Sequence, residues 1–222
     1  ADYYKYYVMT IKPILEAFPQ AKVGGPALAG VTEEFVRIFA ELCYKENTPL
    51  DFISWHRYTD NPEDNINDIN KALKGLKCYG DNRPEIMITE ISKAFDKVSV
   101  EEYAFHPERP AIIADNLFAT LDHGIDWTFY YHLWDQCNFP PEFEPFYSNP
   151  YIMQEHWNEI PHRFGLFGVN EEVRPAYFLY KMFTMAGDTI VKSECTNSNL
   201  LVKAFAGSNN FTSAMVVNRR DK

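Results

Sequence analysis

Ile86-Met-Ile-Thr-Glu-Ile91 is an apolar run that closes on a carboxylate. Its length and β-branched residues predict a buried strand. A charged side chain at the end of such a strand must point into a mouth or into solvent, because burial without a partner is too costly. Outward from this stretch the same unit recurs. Strands are predicted at 21–27, 50–58, 85–91 and 125–134, with helical patterns between them. Strand alternating with helix implies a parallel sheet, since parallel neighbours need a crossover connection.

The helices have readable faces and ends. The chain opens inside one, with Tyr4, Tyr7, Val8, Ile11, Ile14, Leu15 and Phe18 at helical spacing and no cap before them, so an upstream segment is expected. Thr32 suits the N-cap of a second helix, with Glu33 and Glu34 in its first turn, running to about Glu46. Helices at 62–76 and 109–122 follow. Ile66, Ile69 and Leu73 face inward in one, and Ile112, Ile113, Leu117 and Leu121 in the other. Gly80 and Gly124 fit the helix exits. Trp127 and Phe129 alternate on the fourth strand and are expected in the core.

Past Trp134, a stretch rich in Pro, Asn and aromatics runs to His162, too long for an ordinary connection and so expected to be a functional loop. A last helix is predicted at 175–186, its Pro175 suited to the first turn. From Thr189 the pattern turns to short alternating segments at 189–193, 200–206 and 212–217, which read as antiparallel β structure. Four βα units make half of a closed eight-stranded barrel. Half a barrel leaves two unpaired edges and an open core, so the missing units are expected from an upstream segment, a second chain or a duplicate.

The 222 residues are 46% hydrophobic and 16% aromatic, enough to bury a substantial core. A formal charge of −10 and a pI near 5.1, with no Lys/Arg-rich run, oppose a phosphate-backbone partner, and nucleic acid is not expected. No apolar stretch approaches the ~20 residues that cross a bilayer. The opening Ala1-Asp-Tyr-Tyr lacks the charged-then-apolar plan of a signal peptide. Cys43, Cys78, Cys137 and Cys195 are scattered without a Cys-x-x-Cys pair, so small buried thiols are expected, with no metal and no cofactor. Asn210-Phe-Thr is a lone glycosylation sequon, a triplet that chance often supplies.

In barrel enzymes the reacting groups stand at the C-terminal ends of strands, which directs attention to 24–27, 54–58, 89–93 and 130–135. Glu90 ends the third strand; on local pattern alone it serves equally well as the partner of a nearby Arg or Lys. Ser54-Trp-His-Arg-Tyr58 places His56 and Tyr58 two apart on one strand face, where both can reach a ligand. Tyr130, Tyr131, His132, Trp134 and Asp135 form an aromatic and polar cluster at the fourth strand end. Sugar rings stack their C–H faces on aromatics while their hydroxyls need polar partners. The mixture therefore suits a carbohydrate, with Tyr131, Trp134 and Asp135 as candidate substrate-binding residues; core packing is the alternative reading of the aromatics.

These segments resemble glycoside hydrolase family 39, the family of β-xylosidases and α-L-iduronidase, over most of 1–187. Lys22-Val-Gly-Gly-Pro-Ala27 is similar to the family's fifth strand, Leu50-Asp-Phe-Ile-Ser-Trp-His-Arg-Tyr58 to its sixth and Ile88-Thr-Glu90 to its seventh. The resemblance implies an α/β fold: strands 5–8, the C-terminal half, of a (β/α)8 TIM barrel over 1–187. Residues 188–222 would be a strand segment of an accessory β-sandwich. It implies Glu90 as the nucleophile of a retaining double displacement, with His56 and Tyr58 contacting the sugar and holding that nucleophile. Such a mechanism needs a second carboxylate ~5–5.5 Å away. The family carries it in an Asn-Glu-Pro motif at the end of the fourth strand, ahead of the first residue here, so the N-terminal barrel half or a partner chain is implied.

Trp157-Asn-Glu-Ile-Pro offers a similar-looking Glu159, but after the eighth strand, where a loop role is expected. The eighth strand departs from the family pattern. Xylosidase-like members carry a Trp before the acidic residue, whereas this chain reads Tyr130-Tyr-His-Leu-Trp-Asp135, which leaves the sugar unassigned. Two functions follow: a hydrolase acting on a carbohydrate substrate, or a catalytically inactive carbohydrate-binding or scaffolding half-barrel. A metal site built from the acidic and His residues lacks any His-x-x-x-His spacing. The compartment is open, with the substrate class favouring an extracellular or periplasmic setting.

Overall fold

Local signals account for most of the elements seen in the computed structural model, which describes residues 2–95, 105–135, 144–145, 148–149, 151–152, 163–208 and 211–219. Most of the long loop, together with Cys137, Glu159 and Asn210, lies outside the described residues. The chain divides into two compact units, Ala1–Ile91 with Ala119–Tyr130, and Ser92–Phe118 with Tyr131–Lys222.

The first unit is a four-stranded parallel sheet in the order β1-β2-β3-β4, formed by β1 (Gly24–Leu28), β2 (Phe52–Tyr58), β3 (Glu85–Ser92) and β4 (Trp127–Tyr130). Helix α1 (Asp2–Ala17) buries Tyr7 and Ile11. The Tyr7 hydroxyl donates to the Pro49 carbonyl at 2.8 Å, and its ring meets Phe39 edge-on at 5.1 Å. Helix α2 (Glu33–Lys45) starts where the cap requires, with Thr32 Oγ1 accepting from Phe35 N, and buries Val36, Phe39, Ala40 and Cys43. Helix α3 (Pro62–Gly75) has Asn61 as its cap and Pro62 in its first turn. Its buried face is Asn65, Asp68, Ile69, Ala72 and Gly75; Ile66 and Leu73, expected inward, are only half-buried. Gly75 explains part of that shift. A Cβ there would stand 2.7 Å from Val36, so α2 and α3 touch at a position only glycine fills.

Two aspartates start the strand ladders in the same way. Asp51 donates its N–H to the Val23 carbonyl while its Oδ2 accepts from Val23 N at 2.7 Å. Asp126 donates to the Ile86 carbonyl while its Oδ2 accepts from Ile86 N at 2.8 Å. Each carboxylate clips the start of one strand to its neighbour and satisfies an N–H that the ladder leaves over.

One face of the sheet is sealed and the other is not. Ile53 and Trp55 of β2 and Ile86 and Ile88 of β3 are fully buried. Arg57, on the same side of β2 as Ile53 and Trp55, ion-pairs with the buried Asp68 of α3, so that side faces the helices. On the opposite side Phe52 and Met87 are only half-buried. Trp127 pairs in register with Met87, and it and Phe129 are 53% and 48% exposed. The expectation that these two rings lie in the core is corrected: alternation puts them on one face, but among the described residues nothing covers it.

In the second unit β5 (Thr189–Val191), β6 (Leu200–Ala206) and β7 (Thr212–Asn218) form the antiparallel sheet read from the sequence. Helix α4 (Arg109–Asp122), whose residues up to Phe118 belong to this unit, occupies the predicted span. It buries Ile112, Ile113 and Leu117, but Leu121 is 40% exposed, one turn beyond the buried stripe. Helix α5 (Pro175–Met185) buries Ala176 and Leu179. Phe183 meets both Phe118 and Phe205 edge-on, and Arg219, after β7, ion-pairs with Asp115 of α4.

Candidate active site

Glu90 belongs to a strand whose alternation breaks at that residue. Ile86 and Ile88 are buried and Met87 and Thr89 half-buried, so simple alternation would turn Glu90 to the buried side. The β3–β4 ladder pairs Ile88 with Thr128 and then Ile91 with Tyr130. Thr89 and Glu90 therefore oppose the single residue Phe129, a β-bulge. After it the buried side resumes one residue out of phase, at Ile91. The extra residue re-aims Glu90 away from the helices.

It is aimed at β2. Alternation puts Ser54, His56 and Tyr58 on the face opposite the buried Ile53 and Trp55. The Tyr58 hydroxyl donates to Glu90 Oε2 at 2.5 Å, and His56 Nδ1 stands 3.2 Å from the same oxygen. Among the described residues both contacts fall on Oε2. His56 and Glu90 are 29% and 27% exposed, so the cluster is neither sealed nor fully in water. Thr89 Oγ1 donates to the Trp55 carbonyl at 3.2 Å, tying the bulge to β2. Three residues singled out by sequence thus meet at one point.

The other three candidates lie in the second unit. Asp135 is 3% exposed and held on several sides. Arg174 Nη2 meets its Oδ2 at 2.5 Å, Gly165 N donates to its Oδ1 at 2.7 Å, and His132 Nε2 stands 3.1 Å from Oδ1. Burial alone would lift its carboxyl, but the His132 ring, the Gly165 N–H and the Arg174 guanidinium outweigh that and hold it below its ordinary value. Its surroundings are those of a structural anchor. Tyr131 is half-buried and lies edge-on to the buried Phe164 at 6.1 Å. Trp134 is exposed on one side and packs on Phe167 with ring centroids 5.7 Å apart.

The sequence reading passed over Arg174 and Ser54. Arg174, a buried cation, had no visible partner at a distance of 39 residues from Asp135; Ser54 was in view, on the strand face of His56 and Tyr58. No cluster of three or more His, Cys, Asp or Glu able to hold a metal occurs among the described residues. No described helix is long and apolar enough to cross a membrane.

Comparison with known proteins adds a partial family match. Residues 1–103 match the model of glycosyl hydrolases family 39. Over 58 residues, 26% of this chain and 12% of the relative, the sequence is 36% identical to a β-xylosidase of Geobacillus stearothermophilus. The crystal structure of a monomeric β-xylosidase from Caulobacter crescentus superposes with a TM-score of 0.63 at 17% identity, covering 91% of this chain and 42% of that one. A family 39 enzyme from Xanthomonas axonopodis pv. citri gives 0.63 at 16%, covering 98% and 44%. At such identities the likeness shows the fold alone. The chain spans less than half the length of these solved structures.

Proposed function

We propose that this chain, whose first 103 residues match the model of glycosyl hydrolases family 39, is part of a retaining glycoside hydrolase, β-xylosidase-like in substrate, with Glu90 as its nucleophile. The observation that carries the reading is the bulge that delivers Glu90 to His56 and Tyr58. Among the described residues the carboxylate is held by Oε2, which leaves Oε1 to attack the anomeric carbon. Attack forms the ester of a glycosyl-enzyme as the bond to the leaving oxygen breaks. A second carboxyl group, protonated at the start, gives its proton to that oxygen and then, as the carboxylate, takes one from the water that releases the sugar. In this reading it comes from the barrel's other half. Residues 1–187 supply strands 5–8, and 188–222 begin the accessory β region.

The sugar is read from the relatives: two of them are named β-xylosidases, which makes a β-xyloside the first substrate to try. The test is hydrolysis of p-nitrophenyl β-D-xyloside by the complete enzyme. Glu90→Gln should lower kcat at least about a thousandfold while substrate affinity stays within a few-fold. Full activity in that variant would remove the assignment. The other reading of the sequence, an inactive binding module, predicts affinity without turnover in the unmodified protein, so the same assay separates the two.

A further inference from the structure

The sheet contains a second bulge. In the β1–β2 ladder Gly25 pairs with Ile53 and Leu28 with Trp55, so Pro26 and Ala27 oppose the single residue Ser54. The arrangement repeats that at Glu90: two residues against one, near the C-terminal end of a strand, bounded by regular pairs on both sides. Ala27 is exposed and holds φ at 57°, a left-handed backbone that a non-glycine residue adopts only when something holds it there. Ser54 supplies the hold. Its hydroxyl is buried and its Oγ accepts the Ala27 N–H at 3.0 Å, replacing the ladder bond that the bulge forfeits.

Ser54 shares its strand face with His56 and Tyr58. The order β1-β2-β3 sets the two bulges on either side of that face. Neighbouring strands stand ~4.8 Å apart, so across the sheet the bulges are separated by roughly 10 Å, a width that one sugar ring lying over β2 spans.

We propose that the Pro26–Ala27 bulge is the wall of the sugar site opposite Glu90, and that Ser54 is the positioning residue that fixes it and thereby limits the size of ring substituent the site accepts. This rests on the glycosidase reading above. A small side chain at Ala27 leaves room for the ring, and the Ser54 hydrogen bond stops the wall from yielding to a bulkier one.

The experiment compares p-nitrophenyl β-D-xyloside with p-nitrophenyl β-D-glucoside, which adds a hydroxymethyl group, in the complete enzyme. Ser54→Ala should reduce the preference for the smaller sugar by roughly five- to twentyfold, the effect expected from one lost hydrogen bond, acting through KM, with kcat for the xyloside within about twofold. Ser54→Thr, which keeps the hydroxyl, should restore the preference. Ala27→Gly takes the same backbone without a Cβ and should shift the preference in the direction of Ser54→Ala, which keeps the proposal testable if Ser54→Ala does not fold. Hydrogen exchange at the Ala27 amide should quicken in Ser54→Ala. Faster exchange with an unchanged sugar preference would make Ser54 a purely structural residue and overturn the proposal, leaving Glu90 untouched. Absence of hydrolysis by the unmodified enzyme, by contrast, would overturn the glycosidase reading and the wall with it.

Discussion

Tyr58 and His56 share one oxygen of Glu90, so neither is expected to matter as much as the carboxylate itself. Tyr58→Phe removes the 2.5 Å donor and leaves the ring, and kcat of the complete enzyme should fall about 10- to 100-fold, well short of the loss in Glu90→Gln. A loss as large as that of Glu90→Gln would give Tyr58 a part in the bond-making step. The cysteines separate by exposure. Burial, with the nearby Cys78 thiol, pushes the Cys43 thiol up to about 12, so it carries almost no thiolate at neutral pH. Cys195 is exposed, contrary to the expectation that the thiols are buried. A thiol reagent at pH 7 should label Cys195 at once and Cys43 only on unfolding; rapid labelling of both would show that α2 opens readily. At this scale the sequence brought Glu90, His56 and Tyr58 into view together, because each is a polar group near the end of an apolar strand, while their roles stay a proposal. It was silent about Ser54, because a small hydroxyl on a strand takes its meaning from the strand beside it.

Elements were legible wherever their signals are local. Thr32 and Asn61 cap their helices as side-chain chemistry dictates, and α4 occupies its predicted span. Registers were not legible, because both bulges are defined by partners 27 or more residues away. The same holds for the face of α3, where Gly75 brings α2 close and rotates burial toward Ala72 and Asp68. Gly75→Ala should therefore destabilise the chain by about 1–3 kcal/mol in denaturant unfolding, although alanine is the better helix former. A gain in stability would mean that α2 yields without cost. In the segment after β4, the Asp135 carboxyl is depressed from its ordinary value of 3.8. A depressed value stabilises the folded state above the unfolded pKa, and that contribution is lost as pH falls through the folded one. Near-ultraviolet circular dichroism should thus show a loosening below about pH 4. Asp135→Asn should lose that step, and should cost about 3 kcal/mol at neutral pH by leaving the buried Arg174 without this carboxylate.

For the whole molecule the open face of the parallel sheet is the dominant fact. Phe52 and Met87 half-buried and Trp127 and Phe129 exposed make a surface that a soluble protein keeps covered. Burial there could not be read from the sequence, since it depends on a covering layer and not on the strand's own pattern. If the cover is the other half of a barrel, the 222-residue chain alone should associate in sedimentation experiments, and adding the family's preceding segment should yield a monomer; a compact monomer of the chain alone would sink the half-barrel reading. The bulge at Thr89–Glu90 carries a different lesson, about insertions and deletions. The direction of the carboxylate depends on how many residues precede it in the strand, so the site is encoded partly in length. Deleting Thr89 would keep Glu90, His56 and Tyr58 in the sequence and restore strict alternation, turning the carboxylate beneath the helices. A sequence scan that scores only residue identity would pass such a protein as active; its folded form would hold the same acid on the wrong side of the sheet.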